Sequence, residues 1–169
     1  MVRVAALASL VLCVPYPAAA TILPNWNLDE MIRRSDLIVV GTVGADRTVR
    51  DGRQLLTETS INVERTLLGV SRPTIVISQM GGRDGVRVSG ALGDARLIRG
   101  HRVLLFTFAA QDGRRFLVGM GLGAYEMSTD RGEQILDVPL VAPGQTITPP
   151  VQRRIAIRDV IRAIGRVRP

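Results

Sequence analysis

The sequence predicts an all-β protein: a small closed barrel of five to six strands, with a short helix before it and another after it. Residues 37–43 read Leu-Ile-Val-Val-Gly-Thr-Val, a largely β-branched run that leaves no polar face for a helix. Asp51 and Gly52 then supply the dipeptide that tight hairpin turns favour, and residues 57–64 alternate in polarity along a returning strand. Because twist accumulates along strands of this length, we expect the sheet to coil and close.

Residues 1–20 are predicted to be a secretory signal peptide rather than part of the fold. Arg3 gives a short basic head, and residues 4–14 give an apolar core too short to span a bilayer. Three alanines at residues 18–20 form the small-residue site at which such peptides are cleaved.

Cleavage after Ala20 would leave residues 21–169 as one exported domain, secreted or periplasmic, that begins at Thr21. The alternative is a lipoprotein signal that uses Cys13, although Leu12 is large for the residue before a lipidated cysteine. With the signal removed, the domain contains no cysteine and must be held together by core burial.

The charge of the chain is moderate and comes entirely from arginine, since all 22 basic residues are Arg. Removal of Arg3 with the signal lowers the formal charge from +7 to +6, which permits anionic partners without requiring them. Aromatic residues make up 4% of the chain, too few for a surface that stacks nucleic-acid bases. No nucleic-acid partner is therefore expected.

The other elements follow from local signals. Asn27 is predicted to cap a helix over residues 28–34, with Glu30 reaching back as in a capping box and Met31 and Ile32 on its apolar face. Further strands are predicted over residues 74–80, 101–108, 114–128 and 134–140, and a last helix over residues 151–164.

A glycine-rich stretch over residues 81–100 separates two of these strands. It carries six glycines and four arginines, which is typical of a long loop with a functional role. Arg83 and Arg87 within it are candidate partner-binding residues.

No enzyme constellation emerges from the sequence, and neither a cofactor nor a metal site is predicted. His101 is the only histidine, which excludes zinc sites with several histidines. Gly119, Gly121 and Gly123 match a dinucleotide fingerprint as a string, but residues 125–129 continue as strand where that fingerprint needs a helix. We interpret these glycines as the bare face of a strand at a sharp corner or close backbone approach.

The last helix carries arginines beside an apolar stripe, at intervals of four residues: Arg154, Arg158, Arg162 and Arg166. This pattern has two interpretations. The arginines form a basic edge that docks on anionic lipid or on an acidic protein, or they are the solvated side of a helix packed on the rest of the protein. The second interpretation is favoured.

Three segments follow one another along the mature chain in a plan that is found elsewhere. They are Ser35-Asp36 entering the first strand, Phe116-Leu-Val-Gly119 after the glycine-rich stretch, and Val141-Ala-Pro143 followed by Gln152-Arg153-Arg154. This plan resembles the netrin-like module, whose members include the tissue inhibitors of metalloproteinases, and also uncharacterised secreted bacterial proteins. The resemblance implies an OB-fold, a five-stranded barrel with flanking helices.

In the inhibitors, the free terminal amine and carbonyl chelate the zinc of a metalloprotease, and the next side chain enters its specificity pocket. The resemblance implies these roles for Thr21 and Ile22, with Leu23 beside them. The disulfides that clamp this region in the family are missing, so ordering it would cost entropy.

The leading hypothesis is an exported, monomeric, non-enzymatic binding module. Its partner is expected to be a protein that meets the N-terminal segment and the stretch over residues 81–100 at one end of the barrel, in the sharpest form a secreted zinc metalloprotease. The alternative is an envelope-surface or polyanion binder that uses the arginines of the last helix.

Overall fold

A computed structural model of the chain describes residues 26–90, 93–139 and 154–168. The predicted signal peptide and Thr21 fall outside these ranges. The helices and strands, in chain order, are α1 (Leu28–Arg34), β1 (Leu37–Asp51), β2 (Gln54–Leu68), β3 (Thr74–Asp84), β4 (Arg87–Gly90), β5 (Arg102–Ala109), β6 (Arg115–Leu117), β7 (Ala124–Asp130), β8 (Glu133–Pro139), β9 (Arg154–Ala156) and α2 (Ile157–Val167).

The described strands form one antiparallel sheet in the order β4-β3-β2-β1-β5-β7-β8-β9, with β6 paired to β5 off this path. β6 approaches β3, but no backbone ladder joins them within the described ranges. The prediction of a closed barrel of five to six strands is therefore wrong. β6 has only three residues, so it cannot build a long ladder.

The core lies on both faces of the central strands. Ile38 and Val40 of β1 face a cluster that includes residues of α1 and α2, while Leu37 and Val39 face a second cluster shared with β2, β3 and β5. All four side chains are buried. Burial on both faces explains why β1 begins as a continuous apolar run instead of alternating.

Helix α1 confirms the predicted cap and corrects the predicted capping box. The side-chain oxygen of Asn27 accepts a hydrogen bond of 2.9 Å from the Glu30 amide. The Glu30 carboxylate turns to Arg34 at 2.7 Å rather than back to the cap. Met31 and Ile32 are buried, as the apolar face predicts.

The β1–β2 hairpin is confirmed with its turn. Asp51 pairs with Gln54, and Gly52 takes a positive φ of 56°. The ladder slips between Val43 and Asp46, where a register shift bends the long strand.

Two stretches differ from the prediction made for residues 81–100 and 114–128. The first begins with a hairpin, because β3 continues to Asp84 and β4 folds back along it. The second is interrupted by a 3-10 turn over Met120–Gly123, where Gly119 and Met120 have φ values of 66° and 57°. Left-handed backbone at two successive residues ends a strand.

The 3-10 turn nevertheless has the close backbone approach expected of its glycines. A Cβ on Gly121 would lie 2.6 Å from the Gly93 carbonyl oxygen. β7 follows directly, so no helix opens after the glycines and the geometry of a dinucleotide site is absent here.

The C-terminal helix begins later than predicted. Residues 151–153 of the predicted helix lie outside the described ranges, and residues 154–156 form β9, which pairs with β8. β8 confirms the strand predicted over residues 134–140, apart from its last residue, which is not described. Within the described part of the chain, neither helix is long and apolar enough to cross a membrane.

Candidate functional site

The tip of the β3–β4 hairpin exposes two apolar side chains, Val86 in the turn and Val88 on the edge strand β4. Val86 is fully exposed and Val88 is 67% exposed. Arg83 is exposed opposite Val88, and Arg87 pairs with Asp84 across the turn, although the side chain of Arg87 is not described. The hairpin thus brings together the two arginines that the sequence singled out and two valines that it did not.

The base of this hairpin is tied to the central sheet by side-chain hydrogen bonds. The hydroxyl of Thr48 on β1 accepts a bond of 3.1 Å from the Arg83 amide. The hydroxyl of Thr57 on β2 donates a bond of 3.0 Å to the Gly81 carbonyl oxygen. The exposed tip therefore projects from a fixed base.

Glycines at the base allow the hairpin to fold back closely. Gly81 has a φ of 102°, and a Cβ there would collide with the backbone of Ser89 on β4. A Cβ on Gly82 would lie 2.6 Å from the Thr48 side chain. Larger residues at these two positions would push the hairpin off the sheet.

A cleft of about 400 Å³ lies beneath the hairpin and is bounded on one side by the segment that follows it. Gln79 donates hydrogen bonds of 2.8 Å to the Asp94 carboxylate and to the Ala95 carbonyl oxygen. Burial raises the pKa of Asp94, although hydrogen bonds from Gln79 and from the amides of Ala95 and Met80 act in the opposite direction. These groups are occupied by one another, so they fix the segment rather than form an acid-base pair.

The predicted residues of the mature terminus lie outside the described ranges: Thr21, Ile22 and Leu23. The described chain begins at Trp26, whose ring stacks under the Arg34 guanidinium at 4.3 Å and packs against Gly119. The 3-10 turn that follows Gly119 contacts Gly93 through Gly121. The start of the described chain and the segment after the hairpin thus contact neighbouring parts of one turn.

The four arginines near the C-terminus do not all lie on α2, because Arg154 lies in β9, and each of the four has an acidic partner. The pairs are Arg154 with Asp137 at 3.2 Å and Asp130 at 3.3 Å, Arg158 with Glu133 at 2.9 Å, Arg162 with Asp159 at 3.1 Å, and Arg166 with Asp29 at 2.6 Å. Between 55% and 73% of each of these side chains remains exposed to solvent.

His101 lies at the start of β5 beside a carboxylate rather than in a cluster of ligands. Its Nδ1 is 2.6 Å from an oxygen of Glu126, and both side chains are partly exposed. In the described ranges, no group of three or more His, Cys, Asp or Glu side chains could hold a metal ion.

Comparison of the sequence with protein-family models finds no match, and comparison with curated proteins finds none either.

Proposed function

We propose that this chain is an exported, non-enzymatic protein-binding module whose partner contacts the tip of the β3–β4 hairpin. The observation that carries this proposal is the exposure of Val86 and Val88 at the tip of an anchored hairpin. Burial of each valine against a partner would contribute about 1.5–3 kcal/mol to the interface. β4 is an edge strand of the sheet formed by the described residues, and its outer edge offers backbone groups to a partner strand as well.

We also propose that the central sheet is an opened relative of the OB-fold, which is itself a partly open five-stranded barrel. In support, β1 lies between β2 and β5, and β3 lies beside β2. β6 is paired with β5 and approaches β3 from the other side. A ladder between β3 and β6 would complete the barrel.

A sharper form of the proposal is inhibition of a secreted zinc metalloprotease by the mature terminus. In this form, the amine and carbonyl of Thr21 would chelate the zinc, and Ile22 would enter the specificity pocket with Leu23 beside it. Its support is the netrin-like resemblance, together with the position of Trp26 near the turn that Gly93 contacts.

Site-specific cross-linking tests the protein-binding proposal. The mature chain has no cysteine after cleavage at Ala20, so Val86→Cys can carry a single photo-reactive group. Val70→Cys is the matched control, because Val70 is 94% exposed outside the hairpin. We expect one envelope or medium protein to be cross-linked from position 86 and not from position 70. Identical products from both positions would reject the hairpin as the site.

A second pair of proteins tests the inhibitor form separately. One begins at Thr21 and the other carries one additional residue before it. If the free amine chelates zinc, the first protein should inhibit a captured metalloprotease and the second should not. Equal inhibition by both, or none by either, would reject this form and leave the cross-linking result unaffected.

A further inference from the structure

A second cavity lies away from the hairpin, between the two helices and the sheet. It has a volume of about 380 Å³ and is lined on one side by Trp26, Phe106 and Tyr125. These are three of the five aromatic residues in the described part of a chain that has few. Phe106 and Tyr125 meet edge to face at 5.8 Å between ring centroids, so the wall is preorganised.

The polar groups around this cavity are mostly hydrogen-bond donors. The hydroxyl of Tyr125 has no hydrogen-bond partner among the described residues, and burial raises the pKa of Tyr125 to about 12. The side-chain oxygen of Asn27 caps α1, which leaves its amide group as a donor. Arg166 uses one nitrogen on Asp29 and has further donors beside it.

A cavity with aromatic walls and a few hydrogen-bond donors in its lining fits a ligand that is apolar at one end and accepts hydrogen bonds at the other. Its volume is near the lower end of the range typical of ligand sites, about 300–1,000 Å³, which limits the ligand to a small molecule. The Asp29 carboxylate is already paired with Arg166, so it does not oppose an acceptor group.

We propose that this cavity binds a small apolar molecule with a ring and a carboxylate or carbonyl oxygen, and that Tyr125 donates a hydrogen bond to that oxygen. The site is separate from the hairpin, and either proposal can fail without the other.

Trp26 provides the measurement, because it is the only tryptophan of the chain and it lines the cavity. The full mature chain is titrated with phenylpropionate, which has a ring and a carboxylate, and with phenylpropylamine, which has the same ring and a cation. Excitation at the red edge of tryptophan absorption reports on Trp26 alone. We expect a saturable change in emission with phenylpropionate at millimolar concentration, and none with the amine.

Two variants test whether phenylpropionate binding depends on the proposed hydrogen bond from Tyr125. Tyr125→Phe removes only the hydroxyl and should weaken phenylpropionate binding about fivefold or more, the loss expected for one hydrogen bond. Phe108→Leu changes an aromatic side chain that pairs with Phe116 outside the cavity, and should leave the affinity unchanged. Circular dichroism checks that both variants keep the native fold.

Three outcomes would overturn the proposal: no saturable change with phenylpropionate, equal binding of acid and amine, or unchanged affinity in Tyr125→Phe. A cavity already filled by another part of this chain would give the first of these.

Discussion

Replacement of Gly121 by alanine should destabilise the protein through a single collision. The Gly121 amide donates a hydrogen bond of 2.7 Å to the Gly93 carbonyl oxygen. An added Cβ would lie 2.6 Å from that same oxygen, closer than carbon and oxygen approach without bonding. The Cβ position is fixed by the backbone of residue 121 and the oxygen belongs to the backbone of Gly93, so neither can rotate away and the two segments must separate. Overpacking of this kind costs about 1–3 kcal/mol, a large part of a typical unfolding free energy of about 5–15 kcal/mol.

The assay is urea unfolding, followed by circular dichroism, of the wild type, Gly121→Ala and Gly165→Ala. Gly165 is the matched control, because it lies in helix α2 and a Cβ there meets nothing within 4 Å. Alanine should therefore stabilise the helix by about 0.5–1 kcal/mol. We expect the unfolding free energy to fall in Gly121→Ala and to rise in Gly165→Ala. If Gly121→Ala unfolds at the wild-type urea concentration, the segment containing Gly93 does not pack on the 3-10 turn, and the reasoning is refuted.

Three other predictions concern buried and paired groups. Burial raises the pKa of Asp94 above its value in the unfolded chain, so the contribution of Asp94 to stability should rise as pH falls through that raised pKa. Asp94→Asn should lack this contribution when urea unfolding is measured at stepped pH. Parallel plots of unfolding free energy against pH for the wild type and the variant would contradict this prediction. Thr107→Val should lower the unfolding free energy by about 1–3 kcal/mol in the same assay, because the buried hydroxyl donates a hydrogen bond of 2.9 Å to the Leu37 carbonyl oxygen. A loss below about 0.5 kcal/mol would show that this hydrogen bond is unimportant for stability. Arg158 and Arg162 are ion-paired, so the wild type should co-sediment with anionic vesicles no more than a variant in which both arginines are replaced by alanine. Salt-sensitive binding by the wild type alone would favour the basic-edge interpretation.

The features predicted correctly from the sequence are those set by neighbouring residues. Asn27 caps α1 because its side chain reaches an amide three residues on, and Asp51-Gly52 turns the first hairpin because glycine accepts a positive φ. The apolar run that begins β1 is likewise found as a strand. Each of these depends on a short stretch of chain.

Closure of the sheet could not be predicted in the same way. It depends on whether β6 and β3 meet over a sufficient length, and that length is set by the break at Gly119 and Met120. Glycines two residues apart are compatible with both a strand and a turn, so the sequence alone does not decide between them. The pairing of Arg166 with Asp29 is equally inaccessible, because the two residues are 137 positions apart.

The β3–β4 hairpin was missed although its signal was present. Asp84-Gly85 is the same dipeptide that identified the first hairpin, and Val86 and Val88 alternate after it. The many glycines around it led to the prediction of a loop. The exposed valines of the proposed binding site follow directly once the dipeptide is interpreted as a turn.

The most direct test of the central claim compares partner capture by three proteins: the wild type, a Val86→Asp and Val88→Asp double variant, and Val70→Asp. All three substituted valines are exposed, so each variant should unfold at the wild-type temperature. If the hairpin tip binds the partner, the double variant should lose affinity for the cross-linked protein about tenfold or more, while Val70→Asp retains it. Wild-type affinity in the double variant would contradict the claim that this protein binds its partner through the hairpin.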